Sequence, residues 1–210
     1  MKSVQNDMTV GNPMKIILSF TFPIFLGNVF QQLYSMADAV IVGKFVGTKG
    51  LAAVGATGTI TFLIIGFLMG VTTGVTVLTS QKFGAGRMDE MRKTVGNAAI
   101  LSAVIAVVMT AVSMLGMHRL LVFMHTPEDI FDGAYGYIMI ICAGIFTQVL
   151  YNLVSSILRA LGNSKTPLYF LIPAAGLNIV LDLVLVRPMG VAGTAWATII
   201  AQGISGVLCL

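Results

Sequence analysis

The sequence predicts an all-α integral membrane protein built from six transmembrane helices. Of its 210 residues, 57% are hydrophobic and 10% are charged, whereas soluble domains average about 25% charged residues. The charged residues leave six long apolar intervals, and about 20 apolar residues cross a bilayer as a helix. A membrane β-barrel is excluded, because its strands would alternate polar and apolar residues.

This composition excludes an ordinary soluble enzyme, a disordered tail and a nucleic-acid-binding protein. The net charge is +4, but the twelve basic residues are scattered between apolar runs and form no basic face. The cysteines Cys142 and Cys209 lie far apart in apolar sequence, with neither a disulfide framework nor a metal-ligand spacing. We expect no cofactor and no nucleic-acid partner.

The elements follow from the apolar intervals in order. Residues 1–15 are predicted to be a cytoplasmic N-terminal segment, and residues 16–210 a six-helix transmembrane unit. The first span is as long as a full membrane helix and has no small-residue cleavage site, so it is not a removable signal. The next three lie between charged residues, and the fifth contains a single charge, Asp182. The spans are predicted near residues 16–42, 50–80, 94–117, 133–158, 166–186 and 190–210.

The sixth span is apolar up to the last residue, with no polar or basic flank behind it. A completed last span usually carries flanking anchors. We therefore expect this chain to be part of a longer polypeptide.

The basic residues of the connections predict the orientation. With the N-terminus inside, eight basic residues face the cytoplasm and four the opposite side, and an excess of basic residues marks the cytoplasmic side. The eight are Lys2, Lys15, Lys82, Arg87, Arg92, Lys93, Arg159 and Lys165, and the four are Lys44, Lys49, Arg119 and Arg187. The sequence predicts a cytoplasmic N-terminus in a multi-pass plasma-membrane protein.

Two acidic residues, Asp38 and Asp182, lie inside apolar spans. A charge at membrane depth costs at least about 2.5–3.5 kcal/mol, so such residues face a bundle interior or a water-filled cavity. Both are expected in the outer half of the membrane, where they can meet in one pocket. The alternative is that each caps a helix end at the outer interface.

The first span carries a polar stripe that ends at the carboxylate of Asp38. Its members fall within about a third of the helix circumference at 3.6 residues per turn, which predicts that the stripe faces inward. Pro23 removes a backbone hydrogen bond upstream and predicts a bend, or hinge, in this helix. Hydrogen bonding between helices without a transport role is the alternative for the stripe. The stripe consists of Asn28, Gln31, Gln32, Ser35 and Asp38.

The fifth and sixth spans add further oxygen ligands. Asn178 lies one turn before Asp182 on the same helix face, and Thr194 and Thr198 are likewise one turn apart. Packing of the threonines within their own helix is the alternative. Carboxylate, amide and hydroxyl oxygens suit a proton or a hard cation such as sodium, and they do not suit zinc or copper.

Motifs along nearly the whole chain carry a family resemblance. The first span reads FPIFLGNVFQQLYSMADAVIVGKFVG, the second contains LAAVGATGTI and ends in QKFGAGR, the fourth ends in LRALGNSKTP, and the last two contain LNIVLDLVLV and GVAGTAWATIIAQ. In this order they resemble the N-terminal half of a MATE (multidrug and toxin extrusion) transporter of the bacterial branch that includes DinF-like and MepA-like pumps.

The resemblance implies one six-helix lobe of a two-lobe (6+6) antiporter whose C-terminal lobe is absent from this chain. Entry of H⁺ or Na⁺ would drive multidrug efflux of small organic, mainly cationic, compounds across the bilayer. Asp38, Asn178 and Asp182 match the family's ion-coupling residues and are the candidate sodium ligands. Thr198 is their expected sixth-helix partner. Tyr137 and Asn152 match polar residues of the same network, to which Gln31 and Gln32 of the stripe are added.

Three other functions are alternatives to transport. An intramembrane protease would need HExxH or a buried Ser–His pair, and the sequence has neither. A lipid-linked precursor flippase of a related two-lobe superfamily would line its cavity with several basic residues, which these spans almost lack. A homo-oligomeric channel is the third alternative. The sequence therefore predicts a transporter and not an enzyme.

Overall fold

A computed structural model describes residues 11–210. Most of the predicted N-terminal segment, including Lys2, lies outside the described residues. The described part of the chain consists of α-helices joined by short connections, with no strand, which confirms the all-α prediction. The helices are α1 (Pro13–Phe45), α2 (Thr48–Gly84), α3 (Met88–Phe123), α4 (Glu128–Ala143), α5 (Ile145–Ala160), α6 (Lys165–Met189) and α7 (Val191–Leu208).

Five of the described helices are individually long and apolar enough to cross a membrane, namely α1, α2, α3, α6 and α7. Helices α4 and α5 meet the same criteria as a pair, bent by 46° at their junction. Counting that pair as one broken span gives six spans. The interval 133–158 was predicted as one span, and the structure divides it into two helices.

The break between α4 and α5 occurs at Gly144, where α7 passes close by. A Cβ atom on Gly144 would lie 2.3 Å from Cδ1 of Ile199, so no larger residue fits while α7 keeps its place. The amide of Gly144 still donates to the carbonyl oxygen of Ile140 at 2.9 Å. The chain can therefore bend here without leaving this buried backbone group unpaired.

Helix α7 lies in the middle of the bundle, in contact with α4, α5 and α6. Half of an 18-residue stretch of α7 is buried inside the bundle, compared with 6% for α1. Helix α1 packs mainly against α6 and contacts α2 and α7 much less. One face of α1 is consequently covered, and the rest of its surface is open.

A tight turn holds α6 and α7 side by side. Gly190 separates the two helices in the left-handed conformation, with φ of 59°. One helical turn later, Gly193 packs against the backbone of α6, and a Cβ atom there would lie 2.4 Å from the carbonyl oxygen of Leu185. This contact fixes the position of α7 on α6, and with it the relative positions of Thr198 and Asp182.

We expect Gly193→Ala to destabilise the protein, because the atom that its methyl group meets belongs to the backbone and cannot turn aside. Overpacking of this kind typically costs about 1–3 kcal/mol. Thermal unfolding followed by fluorescence-detected size-exclusion chromatography measures the effect.

The matched control is Gly66→Ala in α2, where no atom lies within 4 Å of the added Cβ. In a helix interior this change gains roughly 0.5–1 kcal/mol. Equal melting temperatures for the two variants would show that the α6–α7 contact is not tight.

Candidate functional site

Three of the predicted site residues lie at the same depth in the bundle. Asp38, Asp182 and Thr198 are each seven residues from the end of their helix on the predicted outer side. At 1.5 Å per residue, this places them about 10 Å inside the helix ends. Neither aspartate caps a helix, contrary to the alternative considered from the sequence.

The side chains of these residues meet where α1, α6 and α7 come together. Thr198 Oγ1 lies 3.5 Å from Asp38 Oδ2 and 3.0 Å from the carbonyl oxygen of Thr194, so one hydroxyl proton is shared between two acceptors. The carboxyl groups of Asp38 and Asp182 are close enough to act on each other electrostatically. Three helices therefore contribute oxygen atoms to one site.

The site is buried and its polar atoms are poorly satisfied. Asp182 is 0% exposed and Asn178 is 1% exposed. Both carboxylate oxygens of Asp182, both amide atoms of Asn178 and Oδ1 of Asp38 are buried without a hydrogen-bond partner among residues 11–210. Native interiors pair nearly all such atoms, and these three residues together hold five of the unpaired ones.

In the part of the chain that the structure describes, no basic side chain pairs with Asp38 or Asp182. The ion pairs in the described residues are on the surface and join Lys49 to Asp129 and Glu90 to both Lys82 and Arg87. Two facing carboxylates in a low-dielectric interior repel each other, and a proton or a bound cation relieves that repulsion. Within the same residues, no three His, Cys, Asp or Glu side chains cluster as a metal site.

A second set of polar residues surrounds the carboxylates. Tyr137 of α4 lies close enough to both for their charges to act on its hydroxyl. Tyr34 of α1 accepts a hydrogen bond from Gln202 Nε2 at 3.3 Å. Sequence reasoning missed Tyr34 and Gln202, although helical spacing points to them: each lies four residues from Asp38 or Thr198 on the same helix face.

A small pocket lies beside the site. Asn178, Thr198 and Gln202 line it together with Tyr34 and Tyr151. Oε1 of Gln202 is buried without a partner in the described residues. The unpaired polar atoms thus continue from the carboxylates into this cavity.

The remaining predicted residues lie elsewhere in the bundle. Gln31, Asn152 and Pro23 line a second cavity, and Asn152 Nδ2 donates to the Gln148 carbonyl oxygen at 2.9 Å. Helix α1 continues through Pro23, which is buried. Gln32 is exposed.

The polar stripe on α1 is only partly covered within this lobe. Asp38 and Gln31 lie on the partly buried side, whereas Asn28, Gln32 and Ser35 are exposed on the lobe surface. The reason is that α1 is covered mainly by α6, so its face adjacent to this contact stays open. An inward orientation of these three residues stays a prediction, because this chain spans about half the length of its relatives.

Comparison with known proteins identifies the family. The MatE family model matches residues 23–184, which include Asp38, Asn178 and Asp182. The chain belongs to the MatE family. The resemblance inferred from the sequence motifs is thereby confirmed.

Named relatives of this MatE chain are bacterial. It is 34% identical over 201 residues to the "Probable multidrug resistance protein YpnP" of Bacillus subtilis (strain 168), covering 95% of this chain and 45% of that protein. It is 27% identical to the "Probable multidrug resistance protein NorM" of Thermotoga maritima, covering 92% of this chain and 43% of that protein.

The solved structures agree with these relatives. A multidrug resistance MATE family transporter of the MOP superfamily in an outward-facing conformation aligns with a TM-score of 0.89 at 27% identity. The alignment covers 95% of this chain and 44% of that one. The MatE chain spans about half the length of the relatives that it matches, and it is a multi-pass membrane protein of a transporter family.

The unpaired carboxylates predict an unusual stability effect. We expect Asp182→Asn to raise the melting temperature by a few degrees, on the order of 1 kcal/mol, because it replaces one of two neighbouring buried carboxyl groups with a neutral amide. Thermal unfolding in detergent at pH 8 tests this.

The control is Asp129→Asn, which removes an exposed carboxylate paired with Lys49 and should change stability little. A lower melting temperature for Asp182→Asn at pH 8 would mean that Asp182 stabilises the fold instead of opposing it.

Proposed function

We propose that this chain forms one lobe of a multidrug efflux antiporter. Asp38, Asp182, Asn178 and Thr198 bind the coupling ion, H⁺ or Na⁺, and a second lobe completes the path for small organic, mainly cationic, compounds. The observation that carries the proposal is the meeting of two buried carboxylates with no basic partner among residues 11–210. The names of the relatives support the class of substrate.

The proposed coupling acts through the contact between α1 and α6. With the site empty of cation, repulsion between Asp38 and Asp182 favours a wider spacing of the two helices. A bound cation attracts both carboxylates and favours the closer spacing, so ion occupancy shifts the equilibrium between conformations by its differential affinity. The coupling ion thereby controls how α1 packs on the lobe.

Pro23 is the proposed hinge of this movement. A proline inside a helix removes one backbone hydrogen bond and lets the helix bend. Pro23 lies 15 residues before Asp38 on α1, and α1 has few contacts besides those with α6. A change in the α1–α6 contact can therefore be converted into a bend of the exposed part of α1.

The exposed polar residues of α1 are proposed to face the substrate path. Asn28, Gln32 and Ser35 form an open polar strip next to the buried side that holds Asp38. Exposed polar groups in a membrane helix face protein or water in preference to lipid. We assign this strip to the cleft between the lobes, where alternating access exposes substrate to each side in turn.

The coupling role predicts that Asp38→Asn abolishes ion-driven export. Asparagine keeps the size of the side chain but is fixed in a neutral state, so the site can no longer exchange a cation. The assay is dye efflux driven by a proton or sodium gradient in proteoliposomes, with protein purified from its own gene together with any second lobe. We expect at least a tenfold loss of rate for Asp38→Asn and a smaller loss for Asn178→Ala.

The matched control is Asp132→Asn, the same substitution at an exposed residue of α4, which should transport at the wild-type rate. Efflux by Asp38→Asn at the wild-type rate, at equal protein levels, would remove Asp38 from the coupling mechanism.

The proposed orientation places the α2–α3 connection in the cytoplasm. A cysteine at Ala85 should resist membrane-impermeant thiol reagents in intact cells and react after permeabilisation. Ala85 is preferred to its neighbour Gly86, whose φ of 71° disfavours any side chain. Rapid labelling at Ala85→Cys in intact cells would invert the orientation.

Asp132→Cys is the control for the opposite side, where labelling in intact cells is expected. The native cysteines Cys142 and Cys209 are both buried, so background labelling of these two residues should be low.

A further inference from the structure

The second cavity of the lobe has a different chemical character from the carboxylate site. It lies between α1, α5 and the start of α6. Polar groups from three elements line it: Asn28 and Gln31 of α1, Asn152 and Arg159 of α5, and Ser164 at the N-terminus of α6. Arg159 and Ser164 lie toward the end of the bundle that the basic residues assign to the cytoplasm.

Arg159 is the basic residue of this cavity. It lies in the last turn of α5, where an arginine can extend to water. It is half-buried and lines the cavity together with Tyr151, which lies two turns deeper on the same helix.

This guanidinium has no anionic partner in the described residues. The ion pairs among residues 11–210 do not include Arg159. A partly buried cation is costly unless an anion and hydrogen-bond acceptors satisfy it. A guanidinium presents its donors as a planar fork that matches a carboxylate or phosphate through two hydrogen bonds.

The neighbouring groups favour the same kind of ligand. The amides of Gln31 and Asn152 and the hydroxyl of Ser164 offer donors around the guanidinium. The N-terminus of α6 at Ser164 contributes partial positive charge, and the side chain of Ser164 does not cap that helix. Among residues 11–210, no carboxylate lines the cavity.

We propose that this cavity binds an oxyanion, a phosphate or carboxylate group, through Arg159. The group belongs either to the headgroup of an anionic lipid of the inner leaflet or to a soluble anion that enters from the cytoplasm. Because Gln31 and Pro23 of α1 form one wall and Arg159 of α5 the other, the bound group joins α1 to α5. This site is separate from Asp38 and Asp182 and has the opposite charge.

The test measures binding to the protein produced from its own gene, with any second lobe, in nanodiscs. Thermal stabilisation is compared between phosphatidylglycerol and phosphatidylcholine discs, and inorganic phosphate is titrated into the phosphatidylcholine discs. Wild-type protein should be stabilised by at least one of these probes. Stabilisation by phosphatidylglycerol alone identifies a lipid headgroup, and stabilisation by phosphate identifies a soluble anion.

Arg159→Gln should lower the affinity for whichever probe stabilises the wild type by about tenfold. Arg159→Lys, which keeps the charge but not the planar fork of donors, should lower that affinity less. The matched control is Arg92→Gln, an exposed arginine near the same end of the bundle, which should bind like wild type. Lack of stabilisation by either probe, or equal binding by wild type and Arg159→Gln, overturns the proposal. A loss of binding in Arg92→Gln as large as that in Arg159→Gln also overturns it. If Arg159→Gln does not fold, wild-type affinity in Arg159→Lys overturns the role of the fork.

Discussion

In the hydrocarbon core of a membrane, every backbone amide and carbonyl must find its partner within the protein, and this constraint shapes the whole lobe. The described chain satisfies it with helices, and even its interruptions remain paired. At the α4–α5 break, the Gly144 amide donates to the Ile140 carbonyl oxygen, and at the α6–α7 turn, the Gly190 amide donates to the Val186 carbonyl oxygen. At both helix breaks the backbone amide stays hydrogen-bonded. Both breaks also occur at a glycine, whose small size allows close packing of helices.

Unlike the backbone, the side chains of the candidate site include polar atoms without hydrogen-bond partners. Asp38, Asp182 and Asn178 together keep five buried polar atoms unpaired. Elsewhere in the described residues, some buried hydroxyls, such as that of Thr72, bond to their own helix, and others, such as that of Thr79, are single unpaired groups. Unpaired buried polar groups cost free energy and persist where the surrounding packing holds them in place. Here the holding contacts are the close approach of Gly193 to Leu185 and the packing of α1 on α6. The unpaired polar groups lower the stability of the fold, and they are the groups that we propose bind the ion.

The two cavities give the lobe a charge arrangement along its axis. They share Tyr151 and Leu171 as lining residues, with the carboxylates above this partition and Arg159 below it. The upper site is the proposed cation site and the lower one the proposed anion site. Helix α1 contributes to both through Tyr34 and Gln31, so both proposed ligands would contact the same helix.

The sequence by itself determined the membrane-spanning helices, the depth of Asp38 and Asp182 and the family, because long apolar intervals, rare intramembrane charges and ordered motifs are local features. Helical spacing also pointed to Tyr34 and Gln202, which lie one turn from Asp38 and Thr198, although neither residue type by itself suggested an ion site. The tertiary structure decided the break at Gly144, which depends on Ile199 of a distant helix. It also decided which half of the α1 stripe is buried, because periodicity defines the faces of a helix, whereas only its neighbours determine which face is covered.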